Sequence, residues 1–411
     1  MIAFALGLGL IGIAGVAVVA RKLMRRGIHC WIVPCILRSF GRRRNQPVHM
    51  LLCIADHYEP GLNDASRELA DARVALWVEQ YPQRLGAFRD SDGRVPQHSF
   101  FYPIDQYEPA HVDAIAGLCR AGFGEIEVHL HHSGDNSTNL RSTLLAHREA
   151  MYQRHGVGAR HRETGELVYG FIHGDWALDN SLPNGRCCGV NDELNILRET
   201  GCYCDFTLPS YPSAAQTRKI NSIYYATDDP REPKSHDTGV DVGTGEVPPN
   251  SLMLIQGPLV LNWTRRKWGL LPRFENGCIQ GNQAPSIQRL DAWLNARVQV
   301  PGRPDWYFVK LHTHGANEAN HSALLGTAGI EFHRALAQRA KNDPNFRYHY
   351  VTAREMYNLA KAAEAGWKGS VAEARDYEIL WDGVAPKFAS DDMAVSNLSG
   401  ATRSGPLVET A

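Results

Sequence analysis

The chain reads as an α/β protein: a barrel-like domain of seven or eight β/α units, preceded by one N-terminal transmembrane helix. Three observations predict this class. From residue 47 onward, strand-like and helix-like runs alternate, the rhythm of a β/α domain. Several apolar runs of strand length end in acids and imidazoles, as β/α barrels place chemistry at the carboxyl ends of their strands. Ile2–Ala20 carries no charge over 19 residues.

As a helix that first run spans roughly 28 Å, about the hydrocarbon thickness of a bilayer. Arg21, Lys22, Arg25 and Arg26 follow it, and no basic residue precedes it. The positive-inside rule then makes residues 1–22 an uncleaved anchor, a single pass through the cell inner membrane, with the main domain in the cytoplasm. Residues 23–46 form a basic juxtamembrane segment, and within it Ile28–Leu37, too short to cross and interrupted by Pro34, is expected to lie in the headgroup layer. Residues 47–365 are the barrel, and residues 366–411, small and polar towards the end, are a flexible tail.

The expected strands are His49–Ala55, His98–Ile104, Glu125–His132, Leu167–His173, Cys204–Leu208, Leu252–Leu259, Trp306–His312 and Phe346–Val351. Helical spacing falls on Ser66–Tyr81 (stopped by Pro82), His111–Ala121, Asn139–Arg154, Asn191–Thr200, Ser286–Val298 and His321–Lys341. Tyr211–Pro249, polar and rich in Asp, Pro, Ser and Gly, reads as a long insertion over one end of the barrel.

A net charge of −1, from 43 basic and 44 acidic residues, carries no nucleic-acid signature. The nine cysteines lack the paired spacing of a zinc finger or redox motif, which fits thiols in a reducing compartment. Period-2 alternation sharpens the reading of three strands. Glu127, His129 and His131 share one face, as do Lys310, His312 and His314, and as do Phe171, His173 and Asp175. Imidazoles and carboxylates stacked inside a barrel are costly unless they bind something. His57, His129, His131, His132, His312 and His314, with Asp56 and other acids at strand ends, are a ligand set suited to zinc and related divalent ions.

With these residues in view the chain resembles the polysaccharide deacetylase superfamily, the NodB-homology fold of carbohydrate esterase family 4. Ile54-Ala55-Asp56-His57 stands where that family has its aspartate pair, Glu125-Ile126-Glu127-Val128-His129 matches the start of its histidine-ligand motif, and Lys310-Leu311-His312-Thr313-His314 stands for its late L-x-H motif. The resemblance implies a distorted (β/α)7 barrel. It further implies Asp56 as catalytic base, His312 as catalytic acid, and a divalent metal, zinc first, on His57, His129 and either His131 or His132. Trp176, Asp175, His314 and Lys310 would face the substrate, an N-acetylated glycan or lipid-linked intermediate of polysaccharide biosynthesis. Two other readings keep the barrel. One is glycoside hydrolysis by two of Glu59, Glu127 and Asp175, as in barrels of glycoside hydrolase family 57. The other is an inactive, membrane-tethered protein that binds glycan or an assembly partner.

Overall fold

A computed structural model describes residues 27–39 and 47–382, together with Arg21, Leu23 and Met24. Its strands are β1 (Val48–His57), β2 (His98–Pro103), β3 (Gly124–Leu130), β4 (Ala159–His161), β5 (Leu167–His173), β6 (Cys202–Asp205), β7 (Ile223–Thr227), β8 (Val240–Asp241), β9 (Ser251–Ile255), β10 (Val260–Lys267), β11 (Leu271–Glu275), β12 (Trp306–Thr313), β13 (Phe346–Tyr350) and β14 (Ile379–Trp381). Twelve of them form one mixed sheet in the order β12-β1-β2-β3-β5-β6-β9-β7-β8, with β13 beside the first half of β1, and with β4 joining β5 to β14. β10 and β11 make a separate hairpin.

β1 organises this sheet because both of its faces are apolar. Met50 and Leu52 pack with Trp77, Tyr81 and Leu290 of the covering helices. Leu51, Cys53 and Ala55 point the other way, into a core shared with Phe101, Ile172, Phe206, Phe308 and Met356. The pairs from β12 through β9 are parallel, so their carboxyl ends meet on one edge. Register places Ala55 beside His312, Pro103 beside His129, and Leu130 beside His173. The alternation of β1 then carries His57 and Glu59 onto the inner face, and Asp56 and Tyr58 onto the helix face.

Side-chain caps start the covering helices: Ser66 for Arg67–Leu85, Asn136 for Ser137–His155, Ser286 for Ile287–Ala296, and a Thr352–Glu355 capping box for Ala353–Glu364. Pro82 sits inside the first of these rather than ending it. The expected helix His321–Lys341 is two, Glu318–Leu325 and Thr327–Asn342, divided at Gly326.

Three expectations are corrected. The repeating (β/α)7 barrel gives way to a mixed sheet, because Tyr211–Pro249 is not merely a loop. It supplies β7, which runs antiparallel to β9, while β4 and β14 add a further antiparallel pair. The described residues contain no helix long and apolar enough to cross a membrane. The transmembrane helix and the single-pass inner-membrane placement are therefore unsupported, and the run Ile2–Ala20 itself lies outside the described residues.

Third, the helix Ile28–Ser39 packs on the domain rather than lying in headgroups. Ile28, Trp31 and Cys35, one helical face, are buried against Ile220 and Leu259. The Trp31 ring meets those of Tyr211 and Phe274 edge-on at 5.3 and 5.2 Å, and Arg38 donates to the carbonyls of Asn221 and Ala296. At the other end, residues read as tail contribute a short helix, Val371–Ala374, and β14; residues 383–411 are outside the described chain.

Candidate metal centre

Three strand ends deliver side chains to one point. His57 and Glu59 come from the end of β1, His129 from β3, His131 from the residue beyond its end, and His314 from just past β12. Ligand atoms of His57, Glu59 and His314 lie within 4.8 Å of one another, as do those of Glu59, His129 and His131, and Glu59 joins the two groups into one. The Nε2 atoms of His129, His131 and His314 stand 3.1, 3.6 and 3.8 Å from the same oxygen, Glu59 Oε1. The His57 ring lies 4.8 Å from the rings of both His129 and His314.

The hydrogen bonds around these rings decide what they present. His129 Nδ1 donates to the Ile172 carbonyl at 2.8 Å, which fixes the ring with Nε2 facing Glu59 Oε1 at 3.1 Å. A proton on Nε2 or a cation between the two atoms satisfies that contact. His131 Nδ1 is 3.2 Å from Asp105 Oδ1, the carboxylate–histidine pairing that orients metal ligands. For a tetrahedral ion with ligands at about 2.0–2.1 Å, ligand atoms are spaced about 3.3 Å apart. The Glu59–imidazole distances bracket that spacing, and the donor set suits a divalent ion, so this group could hold a metal.

The local fields are strong. Burial pushes Glu59 up, but the imidazoles of His131, His129 and His314 outweigh it and hold the carboxyl at about 2. Burial, then the charges of His129, His314, His312 and His131, keep His57 well below the ordinary imidazole range. Burial lowers His131 too, yet Glu59, Asp105 and Asp175 raise it to about 9. The side chains of His131 and His314 are 25% and 23% exposed, so the centre opens to solvent between them. Trp176 walls it, its ring 5.9 Å from His57 and 6.1 Å from His314. Asp175 and Trp176 hold left-handed backbone, φ 53° and 54°, which costs a non-glycine residue about 1–2 kcal/mol. Gly174 precedes them because the His131 ring occupies the place its Cβ would take.

The other residues singled out in the sequence sit elsewhere. Asp56 is turned away from the imidazoles: Oδ2 accepts from His98 Nε2 at 2.8 Å, and Oδ1 accepts from the Gly315 amide at 2.6 Å. Lys310 is buried and donates to the carbonyls of Phe206 and Leu208, tying β12 to the end of β6. His312 lies beneath His314, almost fully buried, its Nδ1 making no hydrogen bond. Burial first, then Lys310 and His314, push its imidazole far below the usual range. Glu127 accepts from Tyr203 and from the Gly170 amide, which takes it out of any carboxylate pair across a sugar bond. His132 points away from His131 into a separate pocket with His173 and Glu193. Glu59 stood out in the sequence as a candidate carboxylate for glycoside hydrolysis and not as a metal ligand, although its spacing of two from His57 put both on one strand face. His98 gave no signal.

No family model matches this chain, and no curated protein does. Among solved structures it is similar to a Mycobacterium smegmatis protein named as a polysaccharide deacetylase, at TM-score 0.41 and 16% identity, over 79% of this chain and 93% of that one. It is also similar to the 4-alpha-glucanotransferase of Thermococcus litoralis, at TM-score 0.35 and 10% identity, over 76% of this chain and 40% of that one. Both likenesses are distant, and the functional reading rests on the centre itself.

Proposed function

We propose that this protein is a metal-dependent hydrolase that removes an acyl group, an N-acetyl group first among candidates, from a carbohydrate. The observation that carries it is the convergence of three imidazole Nε2 atoms on one buried carboxylate oxygen, Glu59 Oε1. His57, Glu59, His129 and His131 would hold the ion, zinc being the best match to nitrogen and oxygen donors. A divalent ion there would polarise an acyl carbonyl and acidify a water molecule.

The chain's own groups supply the rest. Asp105 and the Ile172 carbonyl orient His131 and His129. Trp176 offers an aromatic wall beside the opening, the kind of surface on which a sugar ring stacks. His314 Nε2, at the exposed edge, is the proton carrier nearest an incoming amide, and it takes the acid's role in place of buried His312. Asp56 supports the strand end from behind and touches no substrate. The deacetylase-like spacing of Glu125-Ile126-Glu127-Val128-His129 and of Lys310-Leu311-His312 supports the choice of an acyl bond.

The test is acetate release by the full chain from N-acetylated and O-acetylated oligosaccharides, with and without chelator. Release should stop with chelator, return with zinc, and be lost in Glu59→Gln and His129→Ala. Undiminished release in both variants would refute the proposal.

A further inference from the structure

We propose a second metal centre in this protein, structural in kind: His132, His173, Cys188 and Glu193 form a closed four-ligand site for a zinc-class divalent ion. It goes beyond the hydrolase reading and does not depend on it. One ligand atom from each residue lies within 4.8 Å of all the others, and all four residues are buried. His132 Nε2 and His173 Nε2 stand 3.2 and 3.5 Å from Glu193 Oε1, and Cys188 Sγ stands 3.5 Å from Glu193 Oε2. Around a tetrahedral zinc, with Zn–N about 2.0 Å, Zn–O about 2.0 Å and Zn–S about 2.3 Å, the edges come to about 3.3–3.5 Å. The observed spacings are those of a ligand shell.

Hydrogen bonds leave these atoms turned towards one another. His173 donates through Nδ1 to the Gly174 carbonyl at 2.5 Å, which puts the lone pair on Nε2; that atom is buried and makes no hydrogen bond. Opposite it, at 3.5 Å, is a fully buried carboxylate, acceptor against acceptor. His132 Nδ1 is 3.1 Å from Asp135 Oδ2, and Asn136 and Asn139 hold the other oxygen of Asp135, an outer carboxylate of the sort that orients ligand histidines. Cys188 Sγ accepts from the Val190 amide at 3.4 Å and, as a thiol, donates to Glu193 Oε2 at 3.5 Å, the proton that a bound cation would displace. Glu193 Oε2 also accepts from the Asp179 amide.

Four protein ligands, none exposed, leave no open position, and that distinguishes this centre from the one at Glu59, which opens at His131 and His314. Its task follows from the chain it spans. His132 and His173 leave the ends of β3 and β5, while Cys188 and Glu193 lie at the far end of the segment that carries Asp175 and Trp176. Between Asp175 and Cys187 that segment has six non-glycine residues at positive φ: Asp175, Trp176, Asp179, Asn180, Asn184 and Cys187. Such a segment needs a fastening, and an ion gripping it at its base and its far end would hold Trp176 against the first centre.

Cobalt loading of the full chain tests this, because a sulfur-to-cobalt charge-transfer band in the near ultraviolet arises only at a centre with a thiolate ligand. The band should appear in the wild type, persist in Glu59→Gln, and vanish in Cys188→Ser with the loss of one bound metal per chain. Cys188→His, which keeps a fourth ligand, should lose the band and retain the metal, so an unfolded serine variant leaves the question decidable. A cobalt-loaded wild type without the band, or a band surviving Cys188→His, would overturn the proposal. Failure of the hydrolase reading would instead leave the band intact and acetate release absent.

Discussion

Replacing Asp56 separates two roles that its position in the chain makes easy to confuse. Its carboxylate is fully buried, and its two oxygens accept from His98 Nε2 and from the Gly315 amide. The Gly315 carbonyl in turn accepts from Trp77 Nε1 at 2.9 Å, so Asp56 pins the turn after β12 to the helix Arg67–Leu85. A hydrogen bond to a charged group contributes about 1.5–3 kcal/mol. Asp56→Ala breaks two and strands both donors, for a loss of about 3–5 kcal/mol. For a domain of this size each kcal/mol moves the melting temperature by roughly 1.5 °C, so the midpoint should fall by roughly 4–7 °C. Asp56→Asn should cost less, about 1–2 kcal/mol. Its oxygen still accepts from Gly315, and His98, whose Nδ1 makes no hydrogen bond, can change tautomer to accept from the new amide. Thermal melts of both variants, with metal content and acetate release measured on the folded fraction, check this. An Asp56→Ala protein that melts like the wild type, yet has lost all turnover, would refute the reasoning and place Asp56 in the chemistry.

Gly174→Ala drives a methyl group into the His131 ring; overpacking of this sort costs about 1–3 kcal/mol, and because His131 moves, metal titration should show weaker binding at the first centre. Trp31→Ala should destabilise the domain by about 3–5 kcal/mol, since Trp31 is fully buried against Tyr211 and Phe274; an unchanged denaturation midpoint would mean the helix Ile28–Ser39 does not belong to the domain. His147 is buried with neither ring nitrogen hydrogen-bonded, and burial first, then His155, lowers it from 6.5 to about 3. The unfolded chain therefore takes up a proton that the folded one refuses, so this contribution to stability is complete above pH 6.5 and is lost as pH falls towards 3. His147→Leu should flatten that acid limb in pH-dependent melts and raise stability at pH 7 by about 1 kcal/mol; an unaltered limb would count against it.

Local chemistry made much of this legible. Apolar runs bounded by turn residues marked β1, β3, β5 and β12, since burial on both faces demands nearly continuous hydrophobic side chains. Alternation put His129 and His131 on one face and Lys310, His312 and His314 on another. It also held information that motif spacing obscured: His57 and Glu59 are two apart, so Asp56 between them had to face the helices. The polar stretch Tyr211–Pro249 hid β7, because a short strand inside a Gly- and Pro-rich segment leaves little pattern. Trp31 and Cys35 looked like part of a membrane-facing run, because apolar spacing does not say which surface will cover it.

What the amino-acid sequence determined alone is which residues stand at strand ends and which face each takes, because those follow from a two-residue period within a single strand. What only the tertiary structure decided is which ends meet. Glu59 reached three imidazoles from two other strand ends, and His132 parted from His131 to join His173, Cys188 and Glu193. Strand order and register set those meetings, and they are fixed by packing between segments far apart along the chain, where no local period reaches.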